Sequence, residues 1–198
     1  PIWKLSPDKP TLAKQFRKAG YETAVFGKMH FNRPAAPGLF GFDVMMTEGE
    51  TNKAWKSTVQ PKPIPPDFRV KPAQWRPFRD PARIWLNAED LPFARHEEDM
   101  LGTFTANETV RYLEQNRDKP FALWSSFREP HSPFDFPVED FHRIPPEEFP
   151  LPRVGPEDAG QIALIFRDLS PEEKRGIIAA YYTSVSFMDR NIGRVLDA

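Results

Sequence analysis

The chain has 198 residues, 39% of them hydrophobic, and 27 basic against 28 acidic side chains give it a formal net charge of -1. That length suits one domain with its own core, and the charge balance removes the broad positive field that nucleic acid or an anionic membrane surface would need. Cysteine is absent, which excludes disulfides and thiolate metal sites, and no run nears the roughly 18 apolar residues of a membrane span.

From the start of the chain, Leu12, Phe16 and Ala19 share one helical face, Lys14, Arg17 and Lys18 suit the carboxyl end of the dipole, and Gly20 supplies a stop. These features predict a helix over roughly 9–19. Tyr21 to Phe26 is almost continuous in apolar or β-favouring residues, as a strand covered on both faces of a parallel sheet should be. It releases Gly27-Lys28-Met29-His30, a lysine and a histidine two residues apart. A proline-rich insertion is expected at about 48–98. The whole sequence holds 23 prolines, and eight of them fall between Pro61 and Pro92. Proline offers no amide donor, so that stretch reads as irregular or extended, either a surface wrap packed by Trp75, Phe78, Trp85 and Phe93 or a substrate-facing loop.

Beyond the insertion, Ala106, Val110 and Leu113 mark a second helix, and Asp118-Lys119-Pro120 breaks it before a second strand over Phe121–Phe127. That strand runs into Arg128-Glu129-Pro130-His131. Ser170-Pro171-Glu172-Glu173 has the pattern of a capping box with proline at the first helical position, so a long helix begins there. Its residues Ile178, Tyr181, Val185, Met188, Ile192 and Val195 recur by three and four and are expected to form the face that packs on the sheet.

Strands separated by helices predict an α/β layer fold with a mostly parallel sheet, whose ligands gather outside the carboxyl ends of the strands. Lys28, His30 and His131 all follow such ends and are the candidate site residues. On position alone, a lone lysine after a strand is most often solvated and a lone histidine most often a satisfied surface or core residue. His96 and His142 sit among charges and read as solvated, while Glu129 and Asp135, flanking His131, read as surface or loop-fixing carboxylates.

The wording of three segments adds to this. Thr11-Leu12-Ala13 through Gly20-Tyr21-Glu22-Thr23-Ala24 to Gly27-Lys28-Met29-His30-Phe31 resembles the lysine-histidine segment of the sulfatase family. Lys119-Pro120-Phe121 to Pro130-His131-Ser132-Pro133-Phe134, and Tyr181-Tyr182 to Met188-Asp189-Arg190-Asn191-Ile192-Gly193-Arg194, agree with the same family in order and spacing. Gly-Lys-Met-His-Phe is similar to choline-sulfatase-like members. The resemblance implies an alkaline-phosphatase-like, three-layer α/β/α fold, of which 1–198 would be an internal part of a single catalytic domain. It also implies a sulfuric ester hydrolase that uses a formylglycine nucleophile and a divalent cation, usually calcium.

On that resemblance, Lys28 would bind a sulfate oxygen, His30 would bond the formylglycine diol and assist its collapse, and His131 would contact the sulfate and protonate the leaving oxygen. Asp189 and Gly193 would be structural, the first a polar contact and the second a point of close packing. The family's Cys-x-Pro-x-Arg or Ser-x-Pro-x-Arg nucleophile segment is missing from this sequence, as are its Asp-Asp pair and its Asp-His/Asn-Gly segment. Lys28, His30 and His131 offer none of the six to eight oxygen ligands that calcium takes, so no metal residue is assigned. Nucleophile and metal ligands are expected in flanking sequence, and the 198 residues alone are expected to be inactive. The substrate would be a small-molecule or glycan sulfate ester. Other readings are a phosphodiesterase or phosphonate monoester hydrolase of the same superfamily, or a truncated non-catalytic relative. Compartment stays open: sulfatases of glycans are often exported, and choline-sulfatase-like members can be cytoplasmic.

Overall fold

The computed structural model describes residues 5–31, 37–64, 94–116 and 118–198. The elements that carry the fold run in the order α1 (Leu12–Lys18), β1 (Glu22–Gly27), β2 (Val44–Thr47), α2 (Glu48–Thr58), α3 (Leu101–Gln115), β3 (Phe121–Ser126), α4 (Leu164–Arg167) and α5 (Pro171–Leu196). The chain divides into two compact units, one of residues 1–60, 101–128 and 191–198, the other of 61–100 and 129–190.

In the first unit, β1 is the middle strand of a parallel three-stranded sheet in the order β2-β1-β3, with Ala24 opposite both Val44 and Leu123. Its position explains its composition. Ala24, Val25 and Phe26 are all buried, and they alternate between two apolar clusters as the two-residue period of a strand requires. Val25 joins Ala13, Phe40 and Phe42 on one face, while Ala24 and Phe26 join Tyr112 of α3 on the other. The polar edge of β1 is tied by Asp43: its Oδ1 pairs with Arg17 Nε at 2.9 Å, and its Oδ2 accepts from Thr23 N at 3.0 Å and Thr23 Oγ1 at 2.8 Å. The fold is α/β, with helices α1, α2 and α3 packed on the sheet.

Local chemistry sets the helix starts. Thr11 Oγ1 accepts from Lys14 N to cap α1, and Thr47 with Glu50 forms a full capping box on α2. At α5, Ser170 N donates to Glu173 Oε2 at 2.6 Å and Glu173 N to Ser170 Oγ at 3.2 Å, the reciprocal bonds its sequence predicts. The stretch 48–98, expected to be an insertion, opens with α2; its proline-rich part over 65–93 lies outside the described residues, as do Trp75, Phe78, Trp85 and Phe93.

Two predicted faces turn out differently. In α1 the buried residue is Ala13, with Leu12 63% exposed, because the aromatic Phe16 rather than Leu12 makes the contacts, edge-on to Tyr21 and Trp124. In α5 the buried positions are Gly176, Ala179, Ala180, Thr183, Ser184, Phe187 and Asn191, and Tyr181 and Ile192 are exposed. The stripe of large apolar residues is thus not the core face. Small side chains allow neighbouring backbone to approach closely, so the helix turns its Ala, Thr and Ser side inward and leaves bulk on the flanks.

The second unit is centred on Met100, Phe134, Phe136, Ala180 and Phe187. Its polar interior is a charged network. Arg190 Nη2 reaches Glu97 Oε2 at 2.6 Å and Asp140 Oδ2 at 2.5 Å, and Arg143 Nη1 reaches Asp140 Oδ1 at 3.3 Å. Burial works against the charge of Arg190, but the Glu97 and Asp140 carboxylates hold its pKa above the ordinary value. Gly193, expected to allow close packing, has nothing within 4 Å of where a Cβ would stand.

Candidate active site

Lys28, Met29, His30 and Phe31 follow the carboxyl end of β1 directly. Lys28 N donates to Ser126 O at 2.8 Å, which carries the parallel pairing with β3 one residue past the last ladder position. Alternate residues then divide by chemistry. Met29 and Phe31 pack into the Ala13, Val25, Phe40 and Phe42 cluster, Phe31 stacking on Phe40 at 4.8 Å between centroids. Lys28, half-buried, and His30, exposed, take the intervening positions. Neither side chain has a hydrogen bond or ion pair to another described residue.

Gly27 makes this exit possible. Its φ is +93°, and a Cβ there would collide with the Ser126 carbonyl oxygen. Only glycine adopts that conformation without cost while letting β3 come so close. The strand is therefore locked to its neighbour at the residue that launches Lys28.

At the end of β3 stands a residue that sequence reasoning passed over. Arg128 Nε is buried with no hydrogen-bond partner among the described residues. Lys28 and Arg128 thus lie just past the ends of two paired strands, the lysine without a hydrogen bond or ion pair among the described residues and the arginine with an unpartnered Nε among them. The signal in the sequence is the arginine two residues after an apolar strand, parallel to the lysine after β1. A desolvated guanidinium edge is suited to an oxyanion.

His131 belongs to the second unit, and its surroundings there are specific. The ring is exposed, and its Nδ1 lies 2.7 Å from Ser132 O. A carbonyl oxygen only accepts, so Nδ1 carries the proton and Nε2 is left open. The turn closes with Phe134 N donating to His131 O at 3.0 Å. Phe134 has a φ of 62°, the one non-glycine residue with positive φ among those described. For a bulky residue that conformation costs about 1–3 kcal/mol unless its surroundings over-determine it.

Of Glu129 and Asp135, expected as surface or loop-fixing carboxylates, Glu129 is buried at 5% exposure and Asp135 is half-buried, so neither lies free at the surface. His96, expected to be solvated, contacts Glu139 through Nδ1 and the Pro63 carbonyl through Nε2 at 3.2 Å. His142 lies edge-on to Phe141. Among the described residues there is no group of three or more His, Cys, Asp or Glu that could hold a metal ion, and no helix is long and apolar enough to cross a membrane.

With this geometry in place, the comparisons with known proteins decide the family. The family model described as Sulfatase matches residues 1–198, the whole chain. The chain belongs to the sulfatase family. It is 30% identical to an arylsulfatase of Clostridium perfringens, over 95% of this chain and 42% of that protein. It is 26% identical to a choline-sulfatase of Rhizobium meliloti, over 95% of this chain and 38% of that protein. Among solved structures it is similar to the phosphonate monoester hydrolase of Agrobacterium radiobacter, with TM-score 0.68 at 20% identity, over 98% of this chain and 44% of that one. That likeness fixes the fold as alkaline-phosphatase-like. This sulfatase-family chain spans about two fifths of the length of the relatives it matches.

Proposed function

We propose that the chain is the lysine-histidine part of a sulfuric ester hydrolase that cleaves a small-molecule or glycan sulfate monoester. The observation that carries the reading is Lys28-Met29-His30 at the carboxyl end of the central strand of a sulfatase-family sheet, with both polar side chains uncommitted among the described residues. Lys28 sets a fixed positive charge against a sulfate oxygen, where negative charge concentrates as the ester bond breaks. Arg128, on the neighbouring strand, adds a second cation for the same oxyanion. His30 exchanges protons with the attacking group, and His131 gives a proton to the departing oxygen.

The formylglycine and the calcium ion of this family do not fit the residues described. The sequence has no cysteine and no Ser-x-Pro-x-Arg segment, and no described cluster offers metal ligands. In this reading both come from sequence outside 1–198.

The test uses the full-length protein that contains this segment. An aryl sulfate is expected to be hydrolysed with a higher kcat/KM than an aryl phosphonate monoester or a phosphodiester. Lys28→Met is expected to lower kcat/KM for the sulfate by about 100- to 1,000-fold, the usual loss on removing one electrostatic contact to a transition state. A preference for the phosphonate ester would make the protein a phosphonate monoester hydrolase, and no turnover of any of the three would make it a non-catalytic relative.

A further inference from the structure

The backbone at Phe134 adopts a conformation that glycine would take more easily, yet the position holds a large aromatic residue. The residue is 9% exposed, sits in the core cluster with Met100, Phe136, Ala180 and Phe187, and meets the Tyr181 ring edge-on at 5.6 Å between centroids. The backbone on either side is held as well. Phe134 N donates to His131 O, and Ser184 Oγ of α5 donates to Asp135 O at 2.8 Å. A left-handed residue fixed by its side chain in the core and by a helix hydroxyl behind it leaves the preceding turn little freedom. Inside that turn lies the Nδ1–H bond from His131 to the Ser132 carbonyl.

We propose that Phe134 is a positioning residue for His131: by anchoring the turn it holds the imidazole in the Nδ1–H tautomer and makes Nε2 the nitrogen that exchanges the proton. The tautomer part stands on geometry alone, and the role in the reaction rests on the sulfatase reading above. In that role the neutral ring carries a lone pair at Nε2 and the charged ring an N–H there. As the sulfuryl group passes to an oxygen nucleophile, the ester S–O bond breaks and its electron pair stays on the departing oxygen. That oxygen takes the Nε2 proton and leaves as the alcohol, and His131 remains as the neutral Nδ1–H form. If the ring were free to flip, a share of molecules would turn Nδ1 rather than Nε2 toward the ester, and the loss would be felt where the leaving group most needs a proton.

The experiment has two readouts on the full-length protein. In histidine-15N-labelled protein, long-range proton–nitrogen correlations report the tautomer of His131, assigned by the signal lost in His131→Gln. The wild type is expected to show the Nδ1–H pattern. Phe134→Gly, which relaxes the backbone but removes the anchor, and Ser184→Ala, which loosens Asp135 while leaving the core ring in place, are both expected to shift it toward a tautomer mixture. Phe134→Leu should keep the wild-type pattern. In parallel, kcat for an unactivated alkyl sulfate should fall about 10- to 100-fold in Phe134→Gly, a part of the roughly 100- to 10,000-fold that a positioned general acid contributes, and that for an activated aryl sulfate by less than about 3-fold.

An unchanged Nδ1–H pattern in Ser184→Ala, and in Phe134→Gly if that variant retains its native near-ultraviolet dichroism, would overturn the positioning role. Equal losses on both esters would overturn the proton transfer through Nε2. Should the wild type hydrolyse no sulfate ester while the tautomer still shifts in the variants, the sulfatase reading would fail and the positioning role would stand.

Discussion

Gly27 shows how a single residue couples the sheet to the site. With φ at +93° and the Ser126 carbonyl against its α-carbon, the position has no room for a methyl group and no relaxed conformation for one. Gly27→Ala must therefore either twist the backbone or push β3 away. Positive φ alone costs a non-glycine residue about 1–3 kcal/mol, and displacing the strand adds to it. Denaturant titration of the variant is expected to show a loss of at least about 2 kcal/mol. The bond from Lys28 N to Ser126 O lies beside the clash, so kcat/KM for a sulfate ester should fall as well in molecules that still fold. A variant of native stability and activity would mean that the strand ends are not held as closely as described. This constraint is legible in the sequence only as a glycine between a strand and a lysine. The carbonyl that enforces it comes from residue 126, 99 positions away, and no local pattern could reveal it.

At the scale of elements, what could be read depended on whether the signal was local. Strands β1 and β3, helix α3 and the capped start of α5 follow from period and caps, which neighbouring residues encode. Strand β2 and helix α2 were hidden because Val44–Thr47 is only four residues long, and α2 has few apolar positions, with Thr51 and Trp55 its buried residues. The inward face of α5 departs from the stripe of large apolar residues because burial there follows small residues, which hydropathy does not mark.

A tie that no local pattern suggests joins His96 to two other segments. Its Nδ1 faces Glu139 and its Nε2 the Pro63 carbonyl. Both partners only accept, so both ring nitrogens donate and the bound form is the imidazolium. The bond to Glu139, followed by that to Pro63, accordingly raises the His96 pKa above its ordinary value, with Asp99 adding to the charge around it. A group whose folded pKa is raised contributes stability fully below its unfolded pKa of about 6.5 and loses it as pH rises through the folded value. Thermal midpoints of the wild type and His96→Gln should therefore differ most near pH 6 and converge at alkaline pH. A difference that does not change with pH would show that the tie does not depend on the charge.

For the molecule as a whole, the chain's own chemistry bounds what it can do by itself. Enzymes typically lower barriers by about 8–23 kcal/mol. A fixed cation at a developing charge is worth about 3–4 kcal/mol, and a positioned proton donor contributes about 100- to 10,000-fold, or roughly 3–5 kcal/mol. In the proposed roles, Lys28 and His131 together would reach only the lower end of the range, and even that presumes a nucleophile to act on. Cysteine is absent, the formylglycine segment is not present in the sequence, and no described cluster offers a metal site. The relatives it matches are more than twice as long, since it covers 42% and 38% of two of them. The 198 residues expressed alone are therefore expected to hydrolyse an aryl sulfate no faster than buffer, under conditions where the full-length protein turns over. The comparison is made at equal molar concentration with calcium present. Turnover by the short chain that disappears in Lys28→Met would overturn this, because it would place the attacking group within these residues and make one of their own side chains the nucleophile.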